Sequence, residues 1–203
     1  MRERDRPGTR ERLVRAAARL FQERGYGGVG LSEILSLADA PKGSLYHHFP
    51  EGKTQLARAA LEMAGDRLEA SLAQAREAGG DAANMVEGFA GLLAGWLEAS
   101  NFTQGCPVAT IALEQAGQPG ELTDTVAAIF RRWRETLRLS LLGDGIAQER
   151  ADALANLALS AIEGALILAR AERNGDLVRR AAGEIAALIR TEPRAQAAQP
   201  GLS

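Results

Sequence analysis

Apolar residues recur at intervals of three and four along almost the whole chain, and short polar segments separate these periodic stretches. This spacing places the apolar side chains on one face of an α-helix. Glycine and proline between the stretches mark where helices end, and no strand pattern or internal repeat competes. The pattern predicts helices at about 9–24, 31–38, 41–49, 53–77, 82–100, 107–115, 118–142, 148–174 and 177–190.

Two of these helices are short and lie on either side of Asp39-Ala40-Pro41. Pro41 disfavours the α conformation at Ala40, so the first of the pair should end there. Proline is well tolerated at the start of a helix, so the second begins near Pro41. Two short helices across a tight turn make a helix-turn-helix, whose second helix can enter the major groove of DNA. The alternative is an ordinary surface hairpin of two helices.

The second short helix has a narrow apolar stripe of Leu45 and Phe49, enough to seat it on a small core. Its remaining side chains point outward and can form hydrogen bonds or carry positive charge. Gly43 lowers helix stability, which is understandable if a larger residue would keep the backbone away from a surface. Lys53 begins the next helix, where its charge opposes the helix dipole unless an anion such as phosphate lies nearby.

Composition and charge narrow the class of protein. With 203 residues, 46% hydrophobic and 25% charged, the chain is typical of a soluble globular protein. The most apolar stretch, 153–169, is interrupted by Asn156, Ser160 and Glu163, so no membrane span is expected. The Arg-rich N-terminus lacks the apolar core of a secretory signal. A single cysteine excludes an intrachain disulfide and favours the cytoplasm.

The charge is distributed unevenly between the two parts of the chain. Residues 1–60 hold 11 Lys and Arg against 7 Asp and Glu, a net charge of +4. Residues 61–203 hold 13 against 19, a net charge of −6. We therefore expect only the N-terminal part to meet a polyanion.

The run Gly43-Ser44-Leu45-Tyr46-His47-His48-Phe49, preceded by Pro41-Lys42 and followed by Lys53, resembles the DNA-binding domain of the TetR family of transcriptional repressors. The resemblance spans roughly Thr9–Leu61. It departs from the family pattern at Gly30, where a capping Thr is usual, at Asp39 in place of the turn glycine, and at Gly52, which looks like an insertion. Glycine is an acceptable N-cap and aspartate tolerates turn conformations.

The resemblance implies an all-α fold with a three-helix DNA-binding domain at 1–52, beginning with a basic arm at 1–8. A larger helical domain at 53–190 would bind a ligand and a second copy, and a disordered tail would follow at 191–203. The implied function is a ligand-responsive repressor that binds a (pseudo)palindromic double-stranded operator as a cytoplasmic homodimer. A small, mostly apolar or aromatic effector would release it, and no cofactor or metal is expected.

The side chains expected to contact DNA lie at the start of the first helix, on the helix-turn-helix and at the start of the fourth helix. Ser44, Tyr46 and Lys53 would contact mostly phosphates, His47 a base edge, and Lys42 either. Tyr26 either lies near the DNA backbone or belongs to the core under the following loop. The expected contacts are Thr9, Arg10, Ser32, Lys42, Gly43, Ser44, Tyr46, His47 and Lys53.

The segment 151–169 is apolar on more than one face, and the last helix adds a second apolar stripe. A helix this apolar must be covered on several sides. Both helices could close the core of a single chain, or they could form a four-helix interface between two copies, as the resemblance implies. The residues assigned to that interface are Leu154, Leu157, Ala158, Ala161, Ala165, Leu168, Ile185 and Leu188.

The resemblance also implies a small-molecule pocket among the later helices. Aromatic residues concentrate there, although such side chains more often form plain core. Glu163 could orient a ligand or form a structural ion pair with an arginine. Cys106 could sense oxidants or simply pack, since nothing basic flanks it. The segment 105–109, with 40–43 and Gly52, is similar to the branch of repressors that answer flavonoids and multidrug-like aromatics. The assigned pocket residues are Met63, Phe89, Trp96, Phe102, Gln104, Cys106, Phe130, Trp133 and Glu163.

Two other functions are alternatives to a DNA-binding repressor. A metal-dependent enzyme would have to use His47 and His48, but adjacent helical side chains point about 100° apart and cannot easily share one ion. The chain contains no other histidine and no second cysteine. A helical regulator that acts through protein partners without binding DNA is the second alternative, and Lys42, Tyr46 and Lys53 speak against it.

Overall fold

The structure, a computed structural model, describes residues 7–194. Helices account for most of this range. The β structure within it is one isolated bridge. The predicted all-α fold is therefore confirmed for the described residues. The helices are α1 (Thr9–Arg24), α2 (Leu31–Leu37), α3 (Lys42–His48), α4 (Lys53–Gly79), α5 (Ala82–Ala99), α6 (Pro107–Glu114), α7 (Glu121–Gly143), α8 (Gln148–Glu172) and α9 (Asp176–Thr191).

The described chain forms two compact units. The first contains the residues up to Leu68 together with Ser100–Phe130, and the second contains Glu69–Ala99 together with the residues from Arg131 onward. This division differs from the predicted domains at 1–52 and 53–190. The physical reason is that α6 packs against α1, so a segment distant in sequence joins the first three helices.

In the first unit, α1, α2 and α3 pack on one another around a small apolar core. Its centre consists of buried side chains from all three helices, namely Leu13, Phe21, Ile34, Leu45 and Phe49. The predicted stripe of Leu45 and Phe49 is therefore the buried side of α3. Helix α3 begins one residue later than predicted, with Pro41 as its N-cap in an extended conformation.

In the second unit, α9 packs against both α5 and α8. The buried face of α9 is Val178, Ala182, Ile185, Ala186 and Ile189. Its period of three and four residues is the one that the sequence pattern predicted. Small alanines on this face allow neighbouring helices to approach closely, which suits an alanine-rich chain.

Within residues 7–194, α8 is the one helix that is long and apolar enough to cross a membrane. Although Asn156, Ser160 and Glu163 interrupt it, its length and mean hydropathy still meet the criterion for a membrane span. However, Leu154, Ala158 and other residues of α8 are buried within the protein. A core helix of a water-soluble protein has this same apolar character.

A half-buried ion pair joins three helix ends in the second unit. The carboxylate of Asp144 accepts hydrogen bonds from the guanidinium of Arg76 and from the backbone N–H of Ala82, both at 2.6 Å. Burial by itself would raise the pKa of Asp144, but these two donors outweigh it and lower the pKa below its usual value of 3.8. Asp144 therefore holds the end of α7 to the end of α4 and the start of α5.

The two chain ends lie partly outside the described residues. The predicted basic arm 1–8 is described only at Pro7 and Gly8, and the predicted disordered tail only at 191–194. For 191–194 the prediction of disorder is wrong, because Thr191 ends α9 and Arg194 pairs with Ile146 in the isolated bridge. Glu192 also forms an ion pair with Arg150.

Candidate nucleic-acid interface and effector region

Arg12 holds the turn of the helix-turn-helix. Its guanidinium donates to the carbonyl oxygens of Ala38 at 2.9 Å and Asp39 at 3.0 Å, and also to that of Pro7 at 3.1 Å. Asp39 occupies the left-handed region with a φ of 47°, a conformation that aspartate tolerates better than most residues. Arg12 thus stabilises the turn that determines the orientation of α3. Sequence reasoning missed it, because these partners lie far away in the chain and leave no local pattern.

Helix α3 presents one side to solvent. Lys42, Tyr46 and His47 are exposed, with 57% of Tyr46 accessible. A Cβ added to Gly43 would meet no atom within 4 Å, so this glycine is not required by packing inside the protein. A surface could therefore approach the α3 backbone closely at Gly43.

Ser44 behaves differently from its exposed neighbours. It is half-buried, and its hydroxyl donates to the carbonyl oxygen of Pro41 at 2.6 Å. The hydroxyl oxygen can still accept a hydrogen bond, but its proton is used to stabilise the first turn of α3.

An open groove of about 750 Å³ brings three of the predicted DNA contacts together. Ser32 of α2 lines it, together with Lys42 and Tyr46 of α3. The groove is lined by Leu31, Ser32, Leu35, Ser36, Asp39, Ala40, Pro41, Lys42, Leu45 and Tyr46. The predicted contacts therefore share one face of the helix-turn-helix.

The predicted contacts at the start of α1 lie beside the end of α3. Gly8 is the N-cap of α1, and Thr9 is its first helical residue. The guanidinium of Arg10 lies 5.4 Å from the centre of the Phe49 ring, a cation–π contact. Arg10 is exposed, so its charge remains accessible to an anion.

Lys53 forms contacts within the protein that the sequence did not predict. Its ammonium donates to the carbonyl oxygen of Tyr26 at 2.6 Å and lies 4.3 Å from the centre of the Tyr26 ring. Burial lowers the pKa of Lys53, and the carboxylates of Glu114 and Glu33 partly oppose that change. The half-buried Tyr26 ring packs against Phe21. Lys53 therefore has a fixed position, with N–H groups left for an anion.

The predicted effector residues divide between the two compact units. Met63, Phe102, Gln104, Cys106 and Phe130 belong to the first unit, and Phe89, Trp96, Trp133 and Glu163 belong to the second. Phe89 and Trp133 are buried, whereas Trp96 is 40% exposed. The amide of Gln104 donates to Glu23 of α1 at 3.1 Å, so it already has a partner within the protein.

Cys106 is the N-cap of α6, and its sulfur accepts the backbone N–H of Ala109 at 3.4 Å. This contact gives the thiol a role in starting the helix, which agrees with the packing alternative.

Half of the residues assigned to the dimer interface lie in the core of the single chain. Leu154, Ala158, Ala165 and Ile185 are buried within the single chain, with at most 6% of each exposed, so they offer little surface to a second copy. The remaining members are exposed or half-buried, and Ile167, which is next to Leu168 in sequence, is also exposed. This apolar face consists of Leu157, Ala161, Ile167, Leu168 and Leu188.

Comparison with known proteins gives two matching families. A family model described as bacterial regulatory proteins, tetR family, matches residues 13–60, which include α2, the turn and α3. A second, described as the C-terminal domain of LmrA/YxaF-like transcriptional regulators, matches residues 82–184.

Similar proteins cover most of the chain. An uncharacterized HTH-type transcriptional regulator of Mycobacterium tuberculosis is 36% identical over 82% of this chain and 87% of its own length. The HTH-type transcriptional regulator LmrA of Bacillus subtilis is 32% identical over 82% of this chain and 88% of its own.

Among solved structures, a TetR transcriptional regulator from Chloroflexus aurantiacus is 31% identical with a TM-score of 0.76, and the match covers 92% of this chain and 96% of that one. These relatives are regulators rather than enzymes. The helix-turn-helix geometry and the two family matches agree, and the chain belongs to the TetR family of helix-turn-helix transcriptional regulators.

Proposed function

We propose that this regulator is a cytoplasmic repressor that binds a (pseudo)palindromic operator as a homodimer and is released by a small, mostly apolar or aromatic effector. Residues 1–52 would bind DNA, and residues 53–190 would bind the effector and the second copy. The observation that carries the proposal is the exposed face of α3. Leu45 and Phe49 hold the opposite side of this helix in the core, and Gly43 leaves the backbone of the exposed face without a side chain.

On DNA, the proposal gives each exposed group of the helix-turn-helix a role. His47 would contact a base edge, and Lys42 a base edge or a phosphate. Tyr46, Lys53 and the oxygen of Ser44 would contact phosphates, which fix the position of the protein on the duplex but carry no sequence information. Thr9, Arg10 and Ser32 would add backbone contacts around the same face.

A second copy is needed because one short recognition helix makes too few base contacts for tight and specific binding. The exposed apolar face of α8 and α9 supports an isologous interface, in which the same residues of both copies meet. Leu157, Leu168 and Leu188 would lie at its centre, with Ala161 allowing close approach.

An apolar effector agrees with the aromatic residues of the later helices and with the match to the LmrA/YxaF-like C-terminal domain. Within the second unit, flavonoid-like or other aromatic compounds would contact Phe89, Trp96 and Trp133. We expect a releasing compound to bind best when the spacing of the two α3 helices differs from the spacing that the operator requires. Such a compound lowers the affinity for DNA by the same factor as DNA lowers the affinity for the compound.

The test is DNA binding by single-site variants. Lys42→Ala should weaken binding to the DNA upstream of the protein's own gene by about tenfold, since each good base contact contributes roughly 1–3 kcal/mol. Arg131→Ala removes an exposed positive charge from α7 and should leave binding unchanged. Equal loss in both variants would mean that α3 is not the reading element. An absence of binding by the wild type would favour a regulator that acts through protein partners.

A further inference from the structure

One peptide bond in the loop between α1 and α2 is held from both sides by charged side chains. The carbonyl oxygen of Tyr26 accepts a hydrogen bond from the ammonium of Lys53 at 2.6 Å. The N–H of the same peptide, on Gly27, donates to a carboxylate oxygen of Glu114 at 3.0 Å. Lys53 begins α4 and Glu114 ends α6, so a single peptide connects these two helices.

The carboxylate of Glu114 lies very close to the end of α1. Gly25 has a φ of 77°, and a Cβ built there would lie 1.6 Å from the nearer carboxylate oxygen of Glu114. The backbone conformation favours glycine at this position, and a Cβ there would displace the carboxylate of Glu114.

Two further hydrogen bonds join the end of α1 to the segment before α6. The amide of Gln22 donates to the carbonyl oxygen of Gly105 at 2.7 Å, and the amide of Gln104 donates to Glu23 at 3.1 Å. With Glu114, these contacts give α1 and the loop that follows it three polar links to a segment that lies about eighty residues or more away in the chain. The contact between α1 and α6 is thus fixed by specific bonds as well as by apolar packing.

Charge reinforces this arrangement. Burial disfavours the charged form of Lys53, and Glu114 is the leading carboxylate that offsets it. A cation at the carbonyl end of a peptide and a carboxylate at its N–H end each strengthen the other's hydrogen bond through the peptide dipole. Removing the charge of Glu114 therefore weakens the bond that holds the ammonium of Lys53.

We propose that Glu114 is a positioning residue for operator binding, which acts through the Tyr26–Gly27 peptide to hold the ammonium of Lys53 where a DNA phosphate meets it. This inference depends on the proposed function, because it requires that Lys53 contact a phosphate. It makes affinity for DNA depend on a residue outside the three helices of the helix-turn-helix.

The proposal and a general charge effect predict changes of opposite sign in the affinity for DNA. Glu114→Gln removes one negative charge from each chain, and a general charge effect would tighten binding to DNA. Loss of positioning would instead weaken binding by about tenfold, the effect of losing one charge-assisted hydrogen bond. The sign of the change therefore separates the two explanations.

The experiment measures binding of the full-length protein to its upstream DNA by fluorescence anisotropy at several salt concentrations. Lys53→Met should reduce the slope of log K against log salt by about one unit per chain. Glu114→Gln should weaken binding and reduce the slope in the same direction, and the double variant should be no weaker than Lys53→Met alone. Loss of stability without loss of positioning would leave the slope unchanged.

Glu62→Gln is the matched control, since it removes an exposed carboxylate from α4 and should not weaken binding. Unchanged or tighter binding by Glu114→Gln, or an unchanged salt slope in Lys53→Met, would overturn the inference while the wild type still binds DNA. A wild type that does not bind would instead refute the proposed function.

Discussion

An exposed leucine near the C-terminal end of α8 gives a sharp test of the proposed dimer. Leu168 is 55% exposed in the single chain, although it lies on one of the most apolar helices of the protein. If α8 and α9 of two copies pack together, this side chain becomes buried in the interface. Leu168→Glu would then place a carboxylate in an apolar contact, and two-fold symmetry would place it there twice.

The expected effect follows from the exposed fraction. Full burial of a leucine contributes about 1.5–3 kcal/mol, so the part of Leu168 that remains to be buried contributes about 1 kcal/mol per copy. Each introduced carboxylate adds the cost of a polar group that loses water without a partner, about 1–3 kcal/mol. Summed over two copies, the dimer loses roughly 4 kcal/mol or more, which raises its dissociation constant about 1,000-fold.

Sedimentation velocity over a range of protein concentrations measures this change directly. Leu139→Glu is a matched control, because Leu139 on α7 is also 55% exposed but lies outside the α8 and α9 face. The control should remain a dimer with the wild type, while Leu168→Glu should sediment as a folded monomer. If both variants remain dimers at micromolar concentration, the interface lies elsewhere.

Three further predictions concern the rest of the structure. Gly25→Ala should lower the free energy of unfolding in urea by about 1–3 kcal/mol, because its left-handed, extended conformation is essentially restricted to glycine, whereas Gly43→Ala should leave stability intact or increase it. Arg12→Ala should reduce DNA affinity and speed hydrogen exchange in the turn, with Arg12→Lys recovering little, since a lysine lacks the planar fork. Asp144→Asn should destabilise the protein at neutral pH. Because the pKa of Asp144 is lowered in the folded state, its contribution is present above about pH 4 and disappears as the pH falls through the folded pKa, so wild type and variant should converge in acid unfolding.

The helices and the helix-turn-helix followed from local signals. Pro41 marked the boundary between α2 and α3 to within one residue, and the spacing of Leu45 and Phe49 identified the buried side of α3. Such signals depend only on neighbouring residues, so one sequence suffices to read them.

The long-range contacts could not be read in the same way. Nothing near Arg12 or Glu114 indicates that the first would hold a turn 26 residues away or that the second would bind a loop 87 residues away. For α8, apolar residues on several faces showed that it must be covered, but not which face the chain itself would cover. Leu154 and Leu157 are three residues apart, yet one is buried and the other exposed.

The most direct measurement is the stoichiometry and affinity of the full-length protein on duplex DNA from upstream of its own gene, at low ionic strength and without added compound. The geometry of α3 and the exposed face of α8 and α9 predict saturation at two chains per duplex, with an affinity that falls steeply as salt is added. No binding under these conditions, or saturation by a single chain, would contradict a dimeric repressor that reads DNA with α3.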